Sequence, residues 1–182
     1  MPDFDGKRWA VLGLAVLGVA CTDPHPQPAK PSAAARLEVA SPALRPDAPI
    51  PAPYACTDYE HLGKSPPISW SKGPPGTVAY AVTMVDPDAK NFVHWAVVGL
   101  PPSAANLGEG GPLPPGAVEL TNDFDKSGYG GPCPPPGAPH HYVIEVTALK
   151  APVAATKPDA AFFQALDAAA LARGSITVTF KR

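Results

Sequence analysis

The chain has 182 residues, enough for one domain with extensions and too few for two domains of ordinary size. Apolar residues make up 45% and charged residues 16%, which is enough to bury a core, and a net charge of -2 gives no basic footprint, which excludes nucleic acid as a partner. Proline is the outlier at 27 residues; it gathers in the tract 24–53 and in turns between apolar runs, and so reads as an extended linker followed by loop scaffolding.

Lys7 and Arg8 precede an apolar run over 9–20. A membrane span needs about 20 residues, so this shorter run fits the core of a secretory signal. It closes on Leu17-Gly18-Val19-Ala20-Cys21, which resembles a lipobox, with cleavage before Cys21 and lipidation of its thiol as in bacterial lipoproteins. The leucine stands one place further from the cysteine than usual, and Asp3 and Asp5 dilute the positive start. Ordinary secretion and an uncleaved anchor are the other readings, and all three place the domain outside the cytoplasm. The lipoprotein reading divides the chain into a signal at 1–21, a proline-rich linker at 22–35 and a domain at 36–182, held in the bacterial cell envelope by its lipid and facing the periplasm. If Cys21 carries lipid, Cys56 and Cys133 remain as a pair in an oxidising compartment. They are either bridged or two small buried thiols, since a bridge needs Cα atoms within roughly 7 Å.

From Arg36 onward the pattern changes to short apolar runs bounded by Gly, Pro, Asn or Asp, which predict strands over 37–40, 68–70, 79–85, 93–100, 117–120, 142–149 and 175–180. Alternation over 175–180 turns Ile176, Val178 and Phe180 inward, while the more continuous run 93–100 predicts a central strand. One helix is predicted before the last strand. Pro158 and Asp159 open it, Phe162, Phe163, Leu166, Ala169, Ala170 and Leu171 form its apolar stripe, and Arg173 and Gly174 supply a cationic last turn and a stop. The sum is a mainly β domain whose helix packs on a sheet.

Asp86 follows the strand at 79–85, and Pro87 fixes φ in the turn so that Asp86 and Asp88 point from one rigid corner. Taken alone, such a corner is a turn former with solvated acids. His94 opens the next strand, and a carboxylate beside it would stabilise its imidazolium, making it a donor to an anion. The loop 128–137 holds four glycines and four prolines around Tyr129 and Cys133, a stiff segment able to aim its remaining N–H groups at an anion. It lacks the Lys-Ser/Thr ending of a P-loop, which argues against nucleotide hydrolysis. His140 and Tyr142 stand two apart at a strand start and share one face, with His141 on the other.

Across Ser65-Pro66-Pro67-Ile68-Ser69-Trp70, Asp86-Pro87-Asp88-Ala89, His94-Trp95, Asn122-Asp123-Phe124, the loop 128–137 and His140-His141-Tyr142, the chain resembles the phosphatidylethanolamine-binding protein family, also called Raf kinase inhibitor-like proteins, and most closely its bacterial branch. The resemblance covers about residues 36–182. It departs in a short segment between Asp88 and His94 and in Lys90, which stands where the family usually has proline. It implies a large central antiparallel sheet packed on a smaller one, with a C-terminal helix. It also implies a pocket formed by Asp86, Asp88, His94, Pro134, His140 and Tyr142, with Cys133 at the loop position that contacts the anion. Related proteins hold phosphate, acetate or a phosphorylated lipid headgroup there.

The leading expectation is therefore a binding protein, not an enzyme, that needs no cofactor or metal and takes a small phosphorylated or carboxylated ligand. The lipid anchor would tie it to the membrane. Ser65, Ser69 and Ser127 lie in no nucleophile-elbow motif, so Ser-His-Asp hydrolysis has no support. One alternative, which some relatives exemplify, is an inhibitor of a serine protease or kinase acting through the same pocket region. Another is a metal-dependent hydrolase built on Asp86, Asp88, His94 and His140, although their spacing matches no closed zinc signature.

Overall fold

The computed structural model describes residues 35–182, which lie within the compact unit Ser32–Arg182. The signal segment, the lipobox and Cys21 lie outside the described residues. The strands are β1 (Ala35–Arg36), β2 (Val39–Ala40), β3 (Ile68–Trp70), β4 (Ala79–Asp86), β5 (Phe92–Leu100), β6 (Asn106–Leu107), β7 (Val118–Glu119), β8 (His140–Leu149) and β9 (Ala170–Phe180), with one α-helix, α1 (Ala160–Ala169), before the last. They form a six-stranded sheet in the order β1-β9-β8-β4-β5-β7 and a three-stranded sheet in the order β2-β3-β6. Every pairing is antiparallel except that of β1 with β9.

The period of two along β4 divides the molecule into layers. Tyr80, Val82 and Met84 face the smaller sheet and pack with Trp95, Val97, Tyr142, Ile144 and Val146 against Ile68, Trp70 and Leu107. Ala79 and Ala81 turn the other way and, with Val93, Ala96 and Val98, receive Phe162, Leu166 and Ala169 of α1. Each fully buried large side chain contributes about 1.5–3 kcal/mol, so both faces of the central strands are anchored and their ends are held in fixed register.

Three expectations about elements change. The run 37–40 is not one strand: Ala35 and Arg36 pair with Ala172 and Arg173 in the large sheet, while Val39 and Ala40 pair with Trp70 and Ser69 in the small one, so the chain changes sheet at Leu37. The strand β5 is not central, because only the two-residue β7 flanks it on one side; its continuous apolar character comes from cover on both faces. The helix stops at Ala169, with Ala170 already extended at φ -65° and ψ 133°. Asp159 caps its start, accepting from the Phe162 N–H at 2.9 Å. Arg173 and Gly174 lie in β9 instead of ending α1. Arg173 pairs with Glu145 and Asp167, and Gly174 sits where the Leu37 carbonyl crosses the strand so closely that a Cβ would collide with it.

Candidate functional site

The β4 strand ends on Asp86, whose Oδ1 accepts from the Ala89 N–H at 3.0 Å and so caps a single 3-10 turn over Pro87–Ala89. Lys90 and Asn91 follow with left-handed φ of 57° and 61° and turn the chain straight into β5. Proline cannot adopt that φ, so the lysine that departs from the family pattern goes with the shortened turn.

His94 owes its position to a β-bulge. Met84 pairs with Trp95 and Val85 with Val93, which leaves His94 as the extra residue on β5. The bulge lets two consecutive side chains reach the same side: Trp95 enters the core between the sheets, and the His94 ring stands edge-on to Tyr142 with centroids 5.1 Å apart. The His94 Nδ1 lies 2.7 Å from the Gly130 carbonyl oxygen, an acceptor only, so Nδ1 carries the hydrogen and Nε2 carries a lone pair when the ring is neutral. Burial holds the His94 pKa below its ordinary value, against the opposing pull of the Gly130 carbonyl and the Asp86 charge.

On β8, His140 and Tyr142 share a face, as their spacing requires. The His140 Nδ1 lies 2.7 Å from Asp86 Oδ2, so the buried carboxylate holds His140 rather than His94, contrary to the sequence expectation. The Tyr142 ring is fully buried, and its hydroxyl is enclosed beside the Asp86 carboxylate, outside strict hydrogen-bond geometry. Burial and the nearby Asp86 charge push its pKa up, so it stays a neutral hydroxyl.

Asp86, His94, His140 and Tyr142 line one side of a hollow of about 200 Å³, and Cys133, Pro134 and Pro135 form its rim. Phe92, Phe124 and Tyr59 complete an aromatic wall that sequence reasoning missed. Phe124 stood in a recognised motif without a role; nothing in the sequence marked Tyr59. Asp88 is not part of the pocket. Its carboxylate faces away and accepts from the His141 N–H and ring Nδ1 at 2.7 and 2.8 Å, and these bonds hold its pKa low. The acids of the turn therefore divide as the two faces of β8 do.

The loop 128–137 is fixed, but its glycine N–H groups serve the fold and not a ligand. Those of Gly128, Gly130 and Gly131 donate to the carbonyls of Leu120, His94 and Leu62. A Cβ at Gly131 would lie 2.5 Å from the Leu62 oxygen and 2.6 Å from the Tyr54 oxygen, so the glycine there permits close packing. Buried Asn122 donates to the Gly128 carbonyl and accepts from the N–H groups of Phe124 and Lys126. Cys133 forms a disulfide with Cys56, with Cα atoms 5.3 Å apart, so it meets the pocket as a disulfide sulfur and not as a thiol. Arg182 brings a guanidinium to within 3.9 Å of that sulfur.

A larger groove of about 380 Å³ runs along β9 beside Arg36 and Arg173, but Arg173 is already paired with Glu145 and Asp167. Among the described residues, no three His, Cys, Asp or Glu side chains converge as a metal site. Of the ligand set considered for a hydrolase, Asp86 and His140 bond each other, His94 faces Gly130, and Asp88 lies outside.

A family model described as phosphatidylethanolamine-binding protein matches residues 40–181. The Escherichia coli K12 UPF0098 protein YbcL is 41% identical over 130 residues, covering 64% of this chain and 71% of that one. The Mycobacterium tuberculosis H37Rv protein LppC, named as a candidate lipoprotein, is 36% identical over 156 residues, covering 82% and 74%. The crystal structure of Escherichia coli YbcL, described as a new member of the mammalian PEBP family, superposes with a TM-score of 0.74 at 32% identity over 81% of this chain and 99% of that one. The candidate phosphatidylethanolamine-binding protein homologue CT736 of Chlamydia trachomatis gives 0.69 at 28% identity over 81% and 98%. With the domain matched almost end to end and the two-sheet fold shared, the chain belongs to the phosphatidylethanolamine-binding protein family, in its bacterial branch.

Proposed function

We propose that the protein acts by binding rather than by turnover, holding a small phosphorylated or carboxylated ligand, of which a phospholipid headgroup is one, in the pocket beneath the loop 128–137. The observation that carries this reading is the convergence of Asp86, His94, His140 and Tyr142 on one hollow beneath the rim of Cys133 and Pro134. His140, held by Asp86, offers a charged Nε2–H when its ring carries two protons, and Arg182 adds positive charge at the rim. Both histidines use Nδ1 on Gly130 or Asp86, and among the described residues neither is hydrogen-bonded to a serine, so no nucleophile and base are paired.

The test is thermal unfolding in phosphate or acetate against chloride at equal ionic strength. A ligand-dependent rise in Tm that His140→Ala abolishes supports the reading, and no rise with either anion overturns it. For location, the kinship with LppC and the Cys21 motif support attachment to the envelope by a lipid on Cys21, with the domain facing the periplasm. Replacement of Cys21 by serine should move the protein from the membrane fraction to the soluble one, and a membrane fraction unchanged by that replacement would count against it.

A further inference from the structure

The Cys56–Cys133 bridge joins the loop 128–137 to the chain beside Tyr54, and its two ends are placed differently. Both cysteines are more than nine-tenths buried, at 8% and 6% exposure, with Leu62 and Phe124 packed against them. Cys133 lines the hollow of about 200 Å³ beside Asp86, His94, His140 and Tyr142, and Cys56 does not. A reagent in solution therefore meets the bridge through the hollow, and at Cys133. Arg182 stands at that end, with its Nη1 3.9 Å from the Cys133 sulfur, so a cation lies where an incoming thiolate has to place its charge. The bridge can also open without the site coming apart. The Cys56 N–H donates to the Pro132 carbonyl at 3.0 Å, the Tyr129 hydroxyl to the Tyr54 carbonyl at 2.6 Å and the Gly131 N–H to the Leu62 carbonyl at 2.7 Å. These bonds hold the two cysteines near each other once the S–S bond is broken, so an opened bridge can close again.

We propose that the bridge is a thiol-exchange site reached through the pocket, and that its reagents are small thiols carrying a carboxylate or phosphate group. The proposal rests on the anion-binding reading above and adds a covalent step to it. The pocket holds the anionic end of the reagent, and the sulfur at the other end attacks Cys133 as the thiolate. A bond forms between the incoming sulfur and the Cys133 sulfur, and the Cys56–Cys133 bond breaks with its electron pair on Cys56. The incoming sulfur is oxidised and the Cys56 sulfur reduced, and the Cys56 thiolate then takes a proton from water. The product is a mixed disulfide on Cys133 whose anionic tail fills the pocket, so the modified protein cannot take up phosphate. Attack by Cys56 on the mixed disulfide expels the small thiol and restores the bridge. A neutral thiol has no such hold and reacts from its bulk concentration alone.

The test treats the full chain with 3-mercaptopropionate or with 2-mercaptoethanol, traps free thiols with N-ethylmaleimide and locates both adducts by peptide mass spectrometry. Each rate is divided by that of the same thiol with bis(2-hydroxyethyl) disulfide, which removes differences in thiol pKa and nucleophilicity. Mercaptopropionate should end on Cys133 and the maleimide on Cys56, at a normalised rate at least about tenfold above that of mercaptoethanol, the worth of one hydrogen bond to a charged group. Phosphate should slow both reactions, since both thiols enter by the hollow. Arg182→Gln, at the last residue and outside the strands, should lower the mercaptopropionate rate about threefold and leave Tm unchanged. Mercaptopropionate found on Cys56, or equal normalised rates for the two thiols, overturns the proposal, and a rise of Tm in phosphate in the same preparation then leaves the anion-binding reading standing. No effect of phosphate on either Tm or the exchange overturns both.

Discussion

Opening the Cys56–Cys133 bridge tests the architecture and the pocket in one experiment. The two cysteines are 77 residues apart in sequence, and the chain-entropy relation for a loop of that size gives about 4.5 kcal/mol at 25 °C. For a domain of about 150 residues each kcal/mol moves Tm by about 2–4 °C, so reduction should lower Tm by roughly 10–15 °C. The domain should still fold, because the Tyr129 hydroxyl donates to the Tyr54 carbonyl at 2.6 Å and the Gly131 N–H to the Leu62 carbonyl at 2.7 Å, ties between the same two loops that survive loss of the disulfide. The pocket should suffer more than the core. Cys133 and Pro134 form its rim, so freeing the loop imposes an ordering penalty on every binding event. The assay is thermal unfolding followed by near-ultraviolet circular dichroism, with and without reductant and with the Cys56→Ala, Cys133→Ala pair, together with phosphate affinity for each form. The pair of substitutions should match the reduced wild type. A Tm that shifts by less than about 3 °C, or a reduced protein that binds phosphate as tightly as the oxidised one, would refute the claim that this bridge holds the rim.

Tyr142→Phe should leave Tm unchanged or slightly raised, because the deleted hydroxyl lies outside strict hydrogen-bond geometry with Asp86, yet weaken phosphate binding about tenfold; unfolding curves and titration calorimetry read the two effects separately. Gly174→Ala should destabilise by about 1–3 kcal/mol, measured as a lower denaturant midpoint, since its methyl group would strike the Leu37 carbonyl where the chain crosses β9. Stability should fall on acidification through His94. Its folded pKa lies below the unfolded value near 6.5, so below that pH the unfolded chain binds more protons, and the His94 contribution is complete above pH 6.5 and declines as pH drops toward the folded value. Denaturant midpoints at pH 7 and pH 5 check this, and His94→Asn should flatten the acid limb.

The sequence revealed the site where the signal was local. Spacing by two put His140 and Tyr142 on one face and His141 on the other, and that is where they stand, because the β period survives any detail of packing. The rigid corner expected at Pro87 does not bring both Asp86 and Asp88 to the pocket. Asp88 lies within the 3-10 turn that Asp86 caps, so the first faces the pocket and the second meets His141. The bulge at His94 was invisible for a related reason: an extra residue in one strand is defined only against its partner, and Met84 and Val85 lie ten and nine positions away. Gly174 misled outright. A glycine after a helical stripe reads as a C-terminal stop, but here a distant strand crossing required it, and no local pattern reports a contact with Leu37. The glycines of the loop 128–137 suggest an anion cradle, whereas three of their N–H groups tie the loop to the carbonyls of Leu120, His94 and Leu62, and the glycines at 130 and 131 make room for Phe124, Leu62 and Tyr54.

Of the two histidines of the hollow, one is held by a carboxylate and the other by a neutral carbonyl. The structure assigns one of each, and it does so through backbone features and not through a choice of residues at the pocket surface. The bulge on β5 delivers His94 to the Gly130 carbonyl, while the end of β4 delivers Asp86 to His140. The strands that carry Asp86 and His140 are paired from Ala79–Leu149 to Val85–Val143. This arrangement of acceptors is a property of the fold's register. It should therefore withstand substitutions along the aromatic wall and be lost with those that shift the β4–β5 pairing.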